Sequence, residues 1–274
     1  MDIDEIYLTP DEKEQVITKE KNRRAALLGC NPDEIRVSTS VAEVLLKHAV
    51  DEKKATIIDK EYWKKVNQPR EYKSFTSEQL YNDFIHRATA IVKRDFVIDD
   101  HNREIIRKLC NYFTASPECE SLGLSLRKGI MLIGGPGTGK TTIMKAFSGN
   151  QFQSYKVVGC RVITYDYAQH GFEVVKNFGR IETVPLNRYG QGETGICFDD
   201  LGTDDERKHY GDAVNPIKEI LLNRYDNIPF HFTHVTSNLN PQMVEDHYGI
   251  RLRSRIREMF NVLKFDIKSP DRRK

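Results

Sequence analysis

The sequence predicts an α/β fold, a parallel sheet covered on both faces by helices and preceded by a small helical region. Three observations predict it. After Lys128, four short apolar runs at 130–133, 155–163, 195–198 and 230–236 alternate with helical or polar segments, as strands buried in a parallel sheet do. A glycine-rich stretch at 134–141 separates the first run from a helix-forming segment. The first 94 residues show helical periodicity and no reactive grouping. The expected division is therefore a helical region at 1–94 that docks a partner, and an α/β domain at 95–274.

The elements follow in order. Thr9, Pro10, Asp11 and Glu12 start a helix, with a capping hydroxyl, a proline in the first turn and acids at the positive end of the dipole. It runs to about Leu28, and Gly29 stops it. A second helix is expected over 38–54 with Val41, Val44, Leu45 and His48 on one side, then a connector over 59–74 that holds Pro69. Thr76 and Gln79 form a capping box ahead of Leu80, Phe84, Ala88, Ile91 and Val92 at helical spacing. Asp99 or Asp100 opens another helix, whose buried stripe is Ile105, Ile106, Leu109, Cys110 and Phe113.

Composition excludes several classes. The 274 residues carry a net charge of +2, so bulk charge does not announce nucleic acid. The ends differ: residues 1–14 are acidic, whereas residues 251–274 hold nine bases against three acids. A basic end attracts phosphate backbones or serves as a solvated helix face. Cys30, Cys110, Cys119, Cys160 and Cys197 are odd in number and form no CxxC pair, which argues against a disulfide framework or zinc site. Reduced thiols, no signal peptide and no membrane-length apolar run together predict a cytoplasmic protein.

The motif GGPGTGKT spans Gly134, Gly135, Pro136, Gly137, Thr138, Gly139, Lys140 and Thr141, and fits GxxxxGK[ST] without mismatch. Its glycines let successive backbone N–H groups face an anion. Lys140 supplies a point charge to the β- and γ-phosphates, and Thr141 a hydroxyl to magnesium. The helix that begins near Lys140, with Thr142 in its first turn, aims its positive end at the same phosphates. The motif therefore predicts bound ATP and Mg2+.

The run at 194–202 is an apolar strand that ends in Asp199 and Asp200. Asp199 is expected to face magnesium, and Asp200 to orient or deprotonate the attacking water. Asp204, Asp205 and Glu206 are expected to cap a helix through 218–222. The run at 231–236 leads to Asn238, the candidate sensor of the γ-phosphate or lytic water. Residues 248–257 then hold four arginines, the group suited to completing a phosphoryl-transfer site from a neighbouring subunit. That arrangement would make the active form a homo-oligomer.

These residues together resemble the DnaC/IstB group of AAA+ ATPases, helicase loaders and transposition helpers. The resemblance runs from about Phe96 onward and rests on GGPGTGKT, CFDDLG, THVTSN and YGIRLRSRIREMF. It implies a P-loop three-layer αβα AAA+ domain, with an arginine finger at Arg251 or Arg255. Lys268 to Arg273 is similar to the family's closing G-x-S-x-R, with lysine for glycine and altered spacing, which leaves Arg272 and Arg273 as second-sensor candidates. The resemblance also implies single-stranded DNA binding by a basic stretch at 165–180, with Tyr165, Tyr167, Phe172, Lys176, Phe178 and Arg180. The leading expectation is an ATP-hydrolysing loader of a replicative helicase. A transposase-assisting ATPase on duplex DNA and a nucleotide-switched adaptor with little turnover are the alternatives.

Overall fold

A computed structural model describes residues 6–66, 74–204, 207–209 and 212–273. The chain forms two compact units, residues 1–70 and 71–274.

The smaller unit holds two helices, α1 (Pro10–Leu28) and α2 (Thr39–Val66). The expected capping box is complete: Thr9 Oγ1 accepts from Glu12 N at 3.2 Å, and Glu12 accepts from Thr9 N at 2.7 Å. Gly29 ends α1 in the left-handed region at φ 67°. Helix α2 is longer than expected and runs through much of the stretch read as a connector, to Val66. Its inner side also differs, because Val44 and His48 are exposed while Leu45, Leu46 and Ala49 are half-buried. Pro69 lies outside the described residues.

The larger unit opens with α3 (Ser77–Val92) and α4 (Arg103–Phe113). Leu80, Phe84 and Ala88 of α3 and the whole expected stripe of α4 are buried in one core, whereas Ile91 is exposed. Helix α3, placed by sequence in the N-terminal region, therefore belongs to the larger unit's core. Helix α4 begins at Arg103 rather than at Asp99 or Asp100, and Asp99 instead accepts from the N–H groups of His101 and Asn102 in the turn before it.

The sheet contains β1 (Gly129–Ile133), β2 (Tyr155–Gly159), β3 (Glu182–Thr183), β4 (Glu193–Leu201), β7 (Thr233–Ser237) and β8 (Phe260–Lys264). Two short strands, β5 (Arg207–His209) and β6 (Asp212–Val214), pair with each other. Five strands run parallel in the order β2-β4-β7-β1-β8, and β3 pairs antiparallel with β4. Helices α5 (Lys140–Phe147), α6 (Cys160–His170), α7 (Phe172–Phe178), α8 (Pro216–Asn227), α9 (Pro241–Tyr248) and α10 (Ile250–Met259) complete the unit. Two hydrophobic clusters share the strands: α3, α4 and α5 side chains pack in one, and those of α6 to α10 in the other. The predicted α/β fold is the one observed.

Three sequence readings are corrected. The run at 155–163 is two elements, since the strand stops at Gly159 and α6 starts at Cys160. Strand β8, unread in the sequence, pairs with β1 along its whole length. Helix α8 is capped by Asn215, which accepts from Lys218 N at 2.9 Å, and not by the acids before it. Asp204 is instead fully buried, while Asp205 and Glu206 lie outside the described residues.

Candidate nucleotide site

The phosphate loop joins β1 to α5, at the carboxyl end of a parallel strand where ligands of such sheets bind. Gly137 and Gly139 have φ of 77° and 93°, torsions that a Cβ would strain. Lys140 is 5% exposed and its ammonium donates to Gly134 O at 2.8 Å, Gly135 O at 2.9 Å and Asn238 Oδ1 at 2.6 Å. Burial pushes the Lys140 pKa down, and Arg273 adds to this, while Asp200 and Asp199 partly oppose it. The predicted partners Lys140 and Asn238 are thus brought together, because β7 lies directly beside β1.

Strand β4 lies on the far side of β7 and supplies the acids. Thr141 Oγ1 donates to the Asp199 carboxylate at 2.9 and 3.0 Å. Thr236, which the sequence reading passed over, donates to Asp199 Oδ1 at 2.6 Å and accepts from Asp200 N at 2.9 Å. One threonine therefore fixes both acids. The pairing of β4 with β7 shifts register between Phe198 and Leu201, and Asp200 sits at φ 58°. A non-glycine residue held there costs on the order of 1 kcal/mol, the kind of strain that collects at functional sites. Burial and the neighbouring Asp199 push the Asp200 pKa up, against the pull of Lys140 and Arg273.

A cavity of about 490 Å³ opens over the loop, the size that small-molecule sites have. Gly137, Gly139, Lys140, Thr141 and Thr142 form its floor, with Asp200 and Asn238 at one end. One wall is the segment from Val92 to Asp99, which the sequence reading passed over as a site, and the other is Pro270 with the second-sensor candidates Arg272 and Arg273. Neither Arg251 nor Arg255 lines it. Arg251 is exposed on α10, while Arg255 donates to the Tyr225 hydroxyl at 2.8 Å and stacks 4.1 Å from that ring's centroid.

The oxygen donors of Thr141 and Asp199 converge, and no cluster of three acidic, histidine or cysteine ligands occurs among the described residues. Such a sparse hard-oxygen set suits Mg2+, which keeps water and phosphate ligands, better than zinc. In the stretch read as a DNA contact, Tyr165, Phe172, Lys176 and Arg180 are exposed. Tyr167 is buried and Phe178 half-buried against the sheet's helix-side core, so those two rings serve packing. No helix among the described residues is long and apolar enough to cross a membrane.

No family model and no curated protein matches this chain. Among solved structures it is similar to the DnaC helicase loader, at 18% identity over 62% of this chain and 93% of that one, with a TM-score of 0.42. It is also similar to AMPPCP-bound DnaA from Aquifex aeolicus, at 18% identity, 65% of this chain and a TM-score of 0.42. A DNA replication initiation factor gives 16% identity, 65% of this chain and a TM-score of 0.40. The chain spans half the length of the latter two.

Proposed function

We propose that the larger unit binds and hydrolyses Mg-ATP, and that the protein is a DnaC-like AAA+ loader of a replicative helicase. The observation that carries the ATPase reading is one hydrogen-bonded set, Lys140 with Asn238 and Thr141 with Asp199, Thr236 and Asp200, of which Lys140, Thr141, Asp200 and Asn238 line the cavity. Magnesium, held by Thr141 and Asp199, would offset charge on the β- and γ-phosphates. Lys140 would exchange its carbonyl partners for phosphate oxygens, and Asn238 would hold the lytic water or the γ-phosphate. Asp200 would take the proton as the water oxygen bonds to the γ-phosphorus and ADP leaves. Its raised pKa suits a base better than an ordinary aspartate does.

The loader reading rests on the motif resemblance, and it assigns the smaller unit to partner docking. Arg251 is the better finger candidate, because Tyr225 already engages Arg255. A guanidinium absent from its own cavity fits supply to a neighbouring copy in an ATP-bound homo-oligomer. Exposed Tyr165 and Phe172 beside Lys176 and Arg180 offer stacking and phosphate contacts to single-stranded DNA. The deciding experiment is phosphate release titrated with single-stranded and then duplex DNA, with Lys140→Ala as control. Single-strand stimulation lost in the control supports the loader. Stimulation by duplex alone favours a transposase helper, and tight binding without turnover leaves an adaptor.

A further inference from the structure

Residues 265–273 cross the phosphate loop after β8. Phe265 N donates to Ile133 O at 2.8 Å, which extends the strand pairing, and its side chain seats on Gly134. Further on, Arg272 touches the loop twice. Its main-chain N–H donates to Gly137 O at 2.9 Å, and its Nη1 donates to Thr138 O at 3.0 Å. Asp271 packs against Gly137 so closely that a Cβ there would fall 1.9 Å from its carboxylate. The same guanidinium makes a two-oxygen bond from Nη2 to Asp99, at 2.8 and 2.6 Å. Arg94 of the opposite wall donates to Arg272 O.

A planar trans peptide points its C=O and the next N–H in opposite directions. Fixing the carbonyls of Gly137 and Thr138 therefore also fixes the N–H groups of Thr138 and Gly139. Those are amides of the very loop whose N–H groups must converge on phosphate. We infer that Arg272 is a positioning residue that orients the Thr138 and Gly139 amides toward the nucleotide's phosphates, and that Asp99 holds Arg272 in place. The inference rests on the reading of this cavity as a nucleotide site. It assigns Arg272 a task on the carbonyls of the loop. Arg273 is the arginine whose charge reaches Lys140 and Asp200.

The guanidinium is forked between two partners, Nη1 on Thr138 O and Nη2 on the Asp99 carboxylate, and so is geometrically demanding. Arg272 is 16% exposed and Asp99 28%, which limits screening by water. Lysine keeps the charge but not the planar fork, so Arg272→Lys is expected to fail where a purely coulombic role would tolerate it.

The test measures ATP and ADP dissociation constants and steady-state kinetics for the full chain and for Arg272→Lys, Arg272→Ala and Asp99→Asn, with melting curves alongside. The expected result is nucleotide binding weaker by about tenfold in each variant, the size of one lost charge-assisted contact, with KM raised more than kcat is lowered. Wild-type affinity in folded Arg272→Lys and Asp99→Asn overturns the inference. A fall in kcat at unchanged KM also overturns it, since it would place Arg272 on the reacting phosphate. Should Arg272→Ala not fold, the isosteric Asp99→Asn carries the test. A wild-type chain that binds no nucleotide sinks the reading of the site itself, whereas a binding wild type with unaffected variants sinks only the role of Arg272.

Discussion

The two units hold their helices in different ways. In the smaller unit only Ile6, Leu8, Glu20 and Ala25 are buried among the described residues, and Leu27, Leu28, Val44, Ile58 and Tyr62 are exposed. Helix α1 is written into the chain by local devices: a capping box, a glycine stop, and the Glu20 carboxylate clasped by Arg23 and Arg24 one turn on. In the larger unit the helices are held by burial, with Phe84 stacked on Phe147 at 4.6 Å and Phe147 on Phe113 at 5.2 Å. Isolated helices depend on local terms worth up to about 1 kcal/mol each, whereas packed ones draw on apolar surface removed from water. The comparison teaches that the packed core and the proposed nucleotide site belong together in the larger unit. Among its described residues the smaller one has exposed apolar side chains and no reactive grouping of its own.

Several measurements would break or sharpen that contrast. The largest expected effect is on chemistry: Lys140→Ala should lower ATP hydrolysis by at least about a hundredfold, read by phosphate release. A fragment beginning at residue 71 should keep nucleotide binding, and its failure to fold would break the comparison. Next, Phe84→Ala should cost about 3–5 kcal/mol of the larger unit's stability by denaturant melting.

Asp204→Asn should cost about 1–3 kcal/mol, because Asp204 accepts from Gly202 N–H, the Asn215 amide and the Tyr248 hydroxyl and is completely buried. It also ties the loop after the acid strand to the helix that leads into the arginines, so trans activation should weaken with it. Thr9→Ala should cost about 1 kcal/mol of α1 stability, seen as lost helicity by circular dichroism. Smallest is Leu27→Ser, expected to change stability by no more than about 0.5 kcal/mol.

The acid limb of a pH–rate profile supplies a sharper test of the site. Asp200 must be ionised to accept a proton, and its pKa is raised by burial and by Asp199 above the ordinary 3.8. The kcat/KM for ATP, which reports the free enzyme, should therefore fall, as pH drops, at a higher pH than an unperturbed aspartate would give. Asp200→Asn should remove that limb along with most turnover. The Asp99 carboxyl behaves oppositely. Burial raises it, but the hydrogen bond and charge of Arg272 outweigh this and lower it below 3.8. Its folded-state pKa is depressed, so its stabilisation is present above the unfolded value and is lost as pH falls through the folded one.

The legible part of the site was the part whose signal is contiguous. The phosphate loop needs a strand before it, a helix after it and glycines between, and all three lie within twenty residues of each other in the chain (129–147). The acids end a strand, and Asn238 follows the next, so both could be named without a contact map. Thr236 could not. It reads as one more polar residue in an apolar run, and only the pairing of β4 with β7 sets its hydroxyl between Asp199 and Asp200. A signal did exist, since a hydroxyl two positions before Asn238 in a strand buried along its whole length needs a partner. The acids at 204–206 misled for the converse reason. Helix-capping preference is a local argument, and burial of Asp204 in a tertiary network overrode it.

By itself the sequence determined the α/β class, the caps of α1 and α3, the phosphate loop and the acids that face it. Each of these is a relation among residues a few positions apart, where chain connectivity already supplies the geometry. Only the tertiary structure decided where the units divide, which rings of the 165–180 stretch are exposed, and what Arg272 does. Asp99 and Arg272 are 173 positions apart, and nothing along the chain marks them as a pair. They meet because β8 runs beside β1 and carries residues 265–273 across the phosphate loop, a placement fixed by sheet order.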